Sequence, residues 1–137
     1  MSRENVEVVR RAYEAWNRGD LDTAFEFLDP DVEVSAPANL PEAGMFHGRD
    51  EMRRWVEEQL LPILEDVRAE PERFLDAGDR VVVFVRYFGR GTASGIEVTG
   101  ANVDAHVWTL RGGRACRLEM HQGTDTALEA VGLQDET

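Results

Sequence analysis

The chain has 137 residues, 42% of them hydrophobic and 31% charged, enough for one globular domain that buries its own core without disulfide staples. A formal net charge of −12 argues against binding a nucleic-acid backbone or an anionic membrane surface, both of which call for clustered Lys and Arg. No apolar run approaches the ~20 residues of a membrane span, the N-terminus opens directly into a charged helical pattern rather than a signal peptide, and Cys116 stands alone, so we expect a single cytoplasmic domain over 1–137.

Val6, Val9, Tyr13 and Trp16 recur at helical spacing and predict an amphipathic helix over 3–17, ended by Gly19. Asp20 caps a short second helix that turns Leu21, Ala24, Phe25 and Leu28 inward. Asp29-Pro30-Asp31 reads as a turn, Val32-Glu33-Val34 as a short strand, and 38–47 as a loop. A third helix starts near Asp50, carries Met52, Trp55, Val56 and Leu60 on one stripe, and is ended or kinked by Pro62. Residues 67–77 form an irregular strand whose Pro71 points to a sheet edge, and 81–88 are the strongest β run. After a glycine-rich turn over 89–95, residues 96–110 read as one long strand. Gly112-Gly113 turns it back into a strand over 114–122. Thr124 caps a last short helix, which ends Schellman-fashion at Gly132-Leu133. Helices followed by a meander of antiparallel strands predict an α+β domain with helices on one face of a curved sheet.

Within the long strand, alternation places Asn102, Asp104, His106 and Trp108 on one face and Val103, Ala105 and Val107 on the other. The polar row is either an ordinary wet face or the wall of a pocket. His106 is a candidate acid or base because imidazole titrates near neutrality, and Asp104 is a candidate to orient it and raise its pKa. The competing reading is a structural histidine bonded to a backbone carbonyl or to Tyr13. Trp16 reads as plain core, His47 as a surface loop residue, and Cys116 as a small core hydrophobe. The glycines of 90–95 link strand to strand, so they lack the strand-to-helix context of a phosphate loop.

Several segments together resemble the SnoaL-like branch of the nuclear transport factor 2-like superfamily. They are Val8 to Asp22, Leu28 to Glu33, His47-Gly48, Ala77 to Val82, and His106 to Gly113. The resemblance implies a cone: a strongly curved, mostly antiparallel sheet wrapped around N-terminal helices, with a ligand cavity at the wide end and, in many members, a homodimer through the outer sheet face. It does not imply one reaction, because such folds host many. Carried over residue by residue, it removes two. The tyrosine and base of ketosteroid isomerase fall on Ala12 and Ala36, with its second oxyanion acid at His106. The acids of the epoxide-hydrolase set fall on Phe88 and Met120, beside Arg86 as the candidate arginine. For the cyclases of this branch, Asp104 is the nearest carboxylate to the expected acid/base position, two residues from where His106 aligns.

The resemblance also turns the polar row toward the cavity. A plain two-residue hairpin at Gly112-Gly113 would set His106 against Glu119; the family orientation instead needs a bulge in the last strand, which puts Leu118 and Met120 inside with His106. On that orientation the apolar row Ala101, Val103, Ala105 and Val107 faces outward as an exposed partner surface, the expected homodimer face. The leading expectation is a small-molecule cavity protein, an isomerase, cyclase or hydrolase acting on a cyclic or aromatic metabolite. His106 would be its acid/base and Asp104 the orienting carboxylate, with Tyr13, Trp55, Tyr87, Asn102, Trp108 and Met120 around the ligand. No metal or organic cofactor is implied. The rival is a non-catalytic ligand-binding or dimerisation module.

Overall fold

A computed structural model describes residues 2–35 and 45–132. Helix α1 (Ser2–Asn17) and the short α2 (Leu21–Glu26) lead into strand β1 (Leu28–Ser35). Strand β2 (Met45–His47) and helix α3 (Arg49–Trp55) follow, and a π-helical turn (Val56–Leu60) extends α3. Next come β3 (Leu64–Ala77), β4 (Arg80–Gly91), β5 (Glu97–Thr99), β6 (Asp104–Arg111), β7 (Arg114–His121) and the closing helix α4 (Asp125–Ala130). The strands form one curved sheet in the order β2-β1-β7-β6-β4-β3, with β5 paired to β4.

The Asp20 carboxylate accepts from the Thr23 backbone N–H at 3.1 Å, as its capping position predicts. The meander is less uniform than its sequence implies: β1 runs parallel to β7, and every other pairing is antiparallel. Residues 45–47, expected in a loop, pair with β1 through Glu33 and His47. Asp29-Pro30-Asp31 lies within β1 as a register shift rather than a separate turn. Strand β3 is an edge strand, as Pro71 implied, and its register shifts at Pro71/Arg73. The Asn17 side chain ties α1 to this strand, donating to the Ala69 carbonyl at 2.9 Å and accepting from the Ala69 N–H at 2.8 Å.

The last hairpin combines both geometries considered for it. Gly112 and Gly113 have φ of 59° and 79°, the left-handed pair that a two-residue turn between twisted strands requires. Arg111 therefore pairs with Arg114, but the register then shifts: Leu110 faces Ala115 and Thr109 faces Arg117. Cys116 is the extra residue, half-buried with its thiol donating to the Thr109 carbonyl at 3.5 Å. This bulge re-aims the strand, setting Met120 opposite His106 and Leu118 opposite Trp108.

Two expectations fail here. The long strand over 96–110 is broken into β5 and β6, which leaves Asn102 exposed in the link between them. Nor is the outward row one exposed stripe, since only Ala101 is exposed and Val103 half-buried, both in the link before β6. Ala105 and Val107 are fully buried in a second apolar cluster with Val82 and with Ala127 of α4, so helices cover both faces of the sheet, not one. The main core lies on the inner face, where Val81, Val83 and Val85 of β4 meet Val9 and Tyr13 of α1.

Candidate functional site

A cavity of about 330 Å³ opens on the inner face, beside the main core. Its walls come from α1 (Tyr13, Trp16), α3 (Met52, Trp55), β4 (Tyr87, Phe88) and the two bulge-aligned strands (His106, Trp108, Leu118, Met120), among others. Alternation explains the β4 contribution: Tyr87 continues the inward row of Val81, Val83 and Val85. No Asp, Glu, Lys or Arg stands among the described residues lining the cavity. Four of its polar side chains meet at one place in the wall.

There, three side chains from three elements join His106. The Tyr13 hydroxyl lies 2.6 Å from Nδ1 of His106, the Tyr87 hydroxyl bonds Nε2, and the Trp108 indole N–H donates to the Tyr13 oxygen at 2.8 Å. His106 is 6% exposed and Tyr13 4%, while Tyr87 is half-buried. Burial drives the His106 pKa down to about 3, with the charge of a protonated His121 adding to the effect, so the imidazole is neutral near pH 7. Burial raises both tyrosines above the usual phenol range, helped at Tyr87 by the nearby Asp104 carboxylate, so both hydroxyls keep their protons.

These facts order the hydrogens. Indole N–H can only donate, so the Tyr13 oxygen accepts from Trp108. A neutral imidazole has one donor and one acceptor nitrogen. If Nδ1 carried the proton, the Tyr13 oxygen would accept twice and its own hydrogen would lack a partner at a buried position. The satisfied arrangement has Tyr13 donating to Nδ1 and Nε2–H donating to the Tyr87 oxygen. The polarity thus runs Trp108, Tyr13, His106, Tyr87, and the Tyr87 hydroxyl hydrogen is left for the cavity.

Asp104 does not orient His106. Both ring nitrogens are taken by tyrosines, and the Asp104 carboxylate accepts from the Gly123 N–H at 2.8 Å. The expected rise of the histidine pKa is replaced by a fall, because burial, with His121 adding to it, acts where a bonded carboxylate was assumed. Asn102 and Asp104 do not line the cavity, whereas Tyr13, Trp55, Tyr87, His106, Trp108 and Met120 do. Trp16, read from the sequence as plain core, also lines it, as do Phe25, Phe27 and Phe88. Helical or alternating spacing marks an inward face but does not say whether that face meets side chains or a void. Arg86 bonds Glu72 and donates to the Gly100 carbonyl, away from the cavity, so the epoxide-hydrolase arginine has no counterpart there. Among the described residues, no group of three or more His, Cys, Asp or Glu is placed to hold a metal ion.

The profile of the SnoaL-like domain matches residues 9–118. A comparison with curated proteins finds no match. Among solved structures, a nuclear transport factor 2-like protein of unknown function from Burkholderia pseudomallei is 29% identical, with a TM-score of 0.76, 93% of this chain covered and 97% of that one. TerC, co-crystallised with polyporic acid, is 26% identical, with a TM-score of 0.76 and coverage of 94% and 98%. A protein from Catenulispora acidiphila with a ketosteroid isomerase-like fold, in complex with trimethylamine, is 19% identical, covers 93% and 94% of the two chains at a TM-score of 0.72, and shows the fold alone.

Proposed function

The chain belongs to the SnoaL-like domain family, and from its cavity we propose that it holds one small, uncharged, cyclic or aromatic molecule whose acceptor oxygen takes the Tyr87 hydroxyl hydrogen. The observation that carries this reading is the bonded chain from Trp108 to Tyr87, which leaves the Tyr87 hydroxyl hydrogen as a donor for a ligand in a largely apolar enclosure. A volume of about 330 Å³ sits at the small end of ligand sites. A charged ligand would meet no counter-charge on the walls described, at a large desolvation penalty. The likeness to TerC, which was crystallised with polyporic acid, supports a ring-bearing ligand.

The chemistry this end of the cavity supports is polarisation of a carbonyl, or stabilisation of negative charge developing on oxygen, as isomerases and cyclases require. Tyr87 would then touch the substrate as the acid, and His106 would act behind it as a neutral positioning residue rather than as an imidazolium acid. No carboxylate among the described lining residues stands ready as a base. That favours binding, or a reaction whose base is the ligand's own, over carboxylate-driven proton abstraction.

The test is calorimetric titration with 1-tetralone and with tetralin, its hydrocarbon counterpart. Wild type should prefer the ketone, and Tyr87→Phe should lose about 5- to 10-fold on the ketone alone, the worth of one hydrogen bond. Equal affinity of wild type and variant for the ketone defeats the reading.

We also place the protein in the cytoplasm, on the strength of its single cysteine; no helix among the described residues is long and apolar enough to cross a membrane. A homodimer through the outer sheet face would have to form on the area that α4 leaves uncovered. Light scattering at micromolar concentration tests it, and a mass of 15.4 kDa removes it.

A further inference from the structure

Four large hydrophobic side chains are conspicuously exposed among the described residues: Met45, Ile63, Ile96 and Val98. Met45 sits on β2 at one end of the sheet. Of the other three, Val98 lines the cavity, and Ile63 and Ile96 lie in segments bonded to its lining strands. Val98 belongs to both places, lining the cavity while remaining 40% exposed. Ile96, 69% exposed, lies two residues before it, immediately ahead of β5. Ile63, 47% exposed, stands between Leu60 and Leu64, both of which line the cavity.

Backbone and side-chain bonds hold these segments together. Thr92 donates from its N–H to the Ile63 carbonyl at 3.0 Å and from its hydroxyl to the Pro62 carbonyl at 2.7 Å. Gly91 donates to the Ile96 carbonyl at 2.9 Å and pairs with Leu64 across the sheet. The turn after the π-helix and the start of β5 therefore form one braced rim.

Apolar surface left in water at a rim continuous with an apolar cavity calls for an apolar occupant. The enclosed volume is small, so a ligand that fills it and has further apolar length must emerge across this rim. We infer that the protein takes amphipathic ligands: an uncharged, oxygen-bearing ring within the cavity and an alkyl tail leaving over Val98 to lie on Ile63 and Ile96. The inference rests on the cavity reading above and adds the tail and its track.

The test uses acetophenone and a 4-alkyl series up to 4-octylacetophenone, titrated into wild type and into Ile63→Ser/Ile96→Ser. Both substituted positions are exposed, so the fold is retained. In wild type, affinity should go on rising by about 2- to 4-fold for each methylene that reaches the rim, the partial-to-full worth of burying one. The double variant should lose this gain on the long members while binding acetophenone itself as wild type does. Binding of acetophenone with no gain from the longer tails, or an equal gain in the double variant, overturns the tail track and leaves the cavity reading standing. No binding by any member overturns both.

Discussion

Replacing Tyr13 with Phe tests the hydrogen order at its most consequential point. The change keeps the ring, which packs against Phe74 and Trp108 edge-on with centroids 6.2 Å and 6.0 Å away, and removes only the oxygen. Two buried groups then lose their partner: the Trp108 N–H and the His106 Nδ1 lone pair. An unsatisfied buried polar group costs about 1–3 kcal/mol, so with two of them the variant should lose roughly 2–6 kcal/mol, a large share of the ~5–15 kcal/mol that typically holds a domain together. Tyr87→Phe removes a hydroxyl too, but at the half-buried end of the chain, and strands only the Nε2–H of His106 at the cavity wall. With one stranded donor instead of two groups, its loss should stay near ~1–3 kcal/mol. Urea denaturation of wild type and both variants, with a shared m-value, gives the two differences directly. If Tyr13→Phe proves no more destabilising than Tyr87→Phe, the hydroxyl of Tyr13 is not the hub described here, and the outward donor at Tyr87 loses its basis.

Other consequences are open to measurement. Because the folded pKa of His106 lies near 3 and that of an unfolded histidine near 6.5, the unfolded chain takes the proton first as pH falls. The His106 contribution is intact above about pH 6.5 and declines by up to about 1.4 kcal/mol per pH unit from there toward pH 3; His106→Asn should flatten that part of the stability profile, and an NMR signal of His106 that titrates between pH 5 and 8 would contradict it. At Gly100, φ is +70° and an added Cβ would stand 2.5 Å from Cζ of Phe88, so Gly100→Ala should cost about 1–3 kcal/mol in a thermal melt, and a melt unchanged from wild type would show that the ring moves freely. Ala127→Glu would drive a charge into the fully buried contact of α4 with Val82, Ala105 and Val107 and should destabilise the monomer by roughly 3–5 kcal/mol; unchanged stability would mean that α4 does not cover this face in solution.

Local patterns carried much of this architecture. The first helix, its glycine stop, the Asp20 cap, the strong β4 run and the Gly112-Gly113 turn are each written in a few neighbouring residues. What local pattern could not resolve depended on partners distant in sequence. The parallel pairing of β1 with β7 joins Val34 to Leu118, and nothing near Val34 specifies that neighbour. The bulge at Cys116 decides which face of β7 looks inward, yet both registers leave a plausible apolar row. The break between β5 and β6 follows from the left-handed Gly100 under the Phe88 ring, a contact across strands that a reading of 96–110 alone makes look continuous. At the site, His106 was visible as an inward histidine. Of its partners, Tyr13, 93 positions earlier, is one that the structural-histidine reading allows, whereas Tyr87, 19 positions earlier, is not, and the conspicuous near neighbour Asp104 is bonded to Gly123.

The two covered faces of the sheet bear on what the cavity can do. His106 projects inward from a strand whose outward side chains, Ala105 and Val107, are locked beneath α4, and Tyr13 projects from a helix clamped to β3 through Asn17. The donor chain is thus suspended between two fixed elements, and its polarity is set before any ligand arrives. A preset donor needs no reorganisation when charge develops on a bound oxygen, which is where electrostatic stabilisation is most effective. The same rigidity limits the repertoire: a histidine held neutral between two hydroxyls is poorly placed to shuttle a full proton of its own. On the proposed reading, chemistry here begins from polarisation of the ligand oxygen by Tyr87, and the fit of the ligand to the apolar walls decides what happens next.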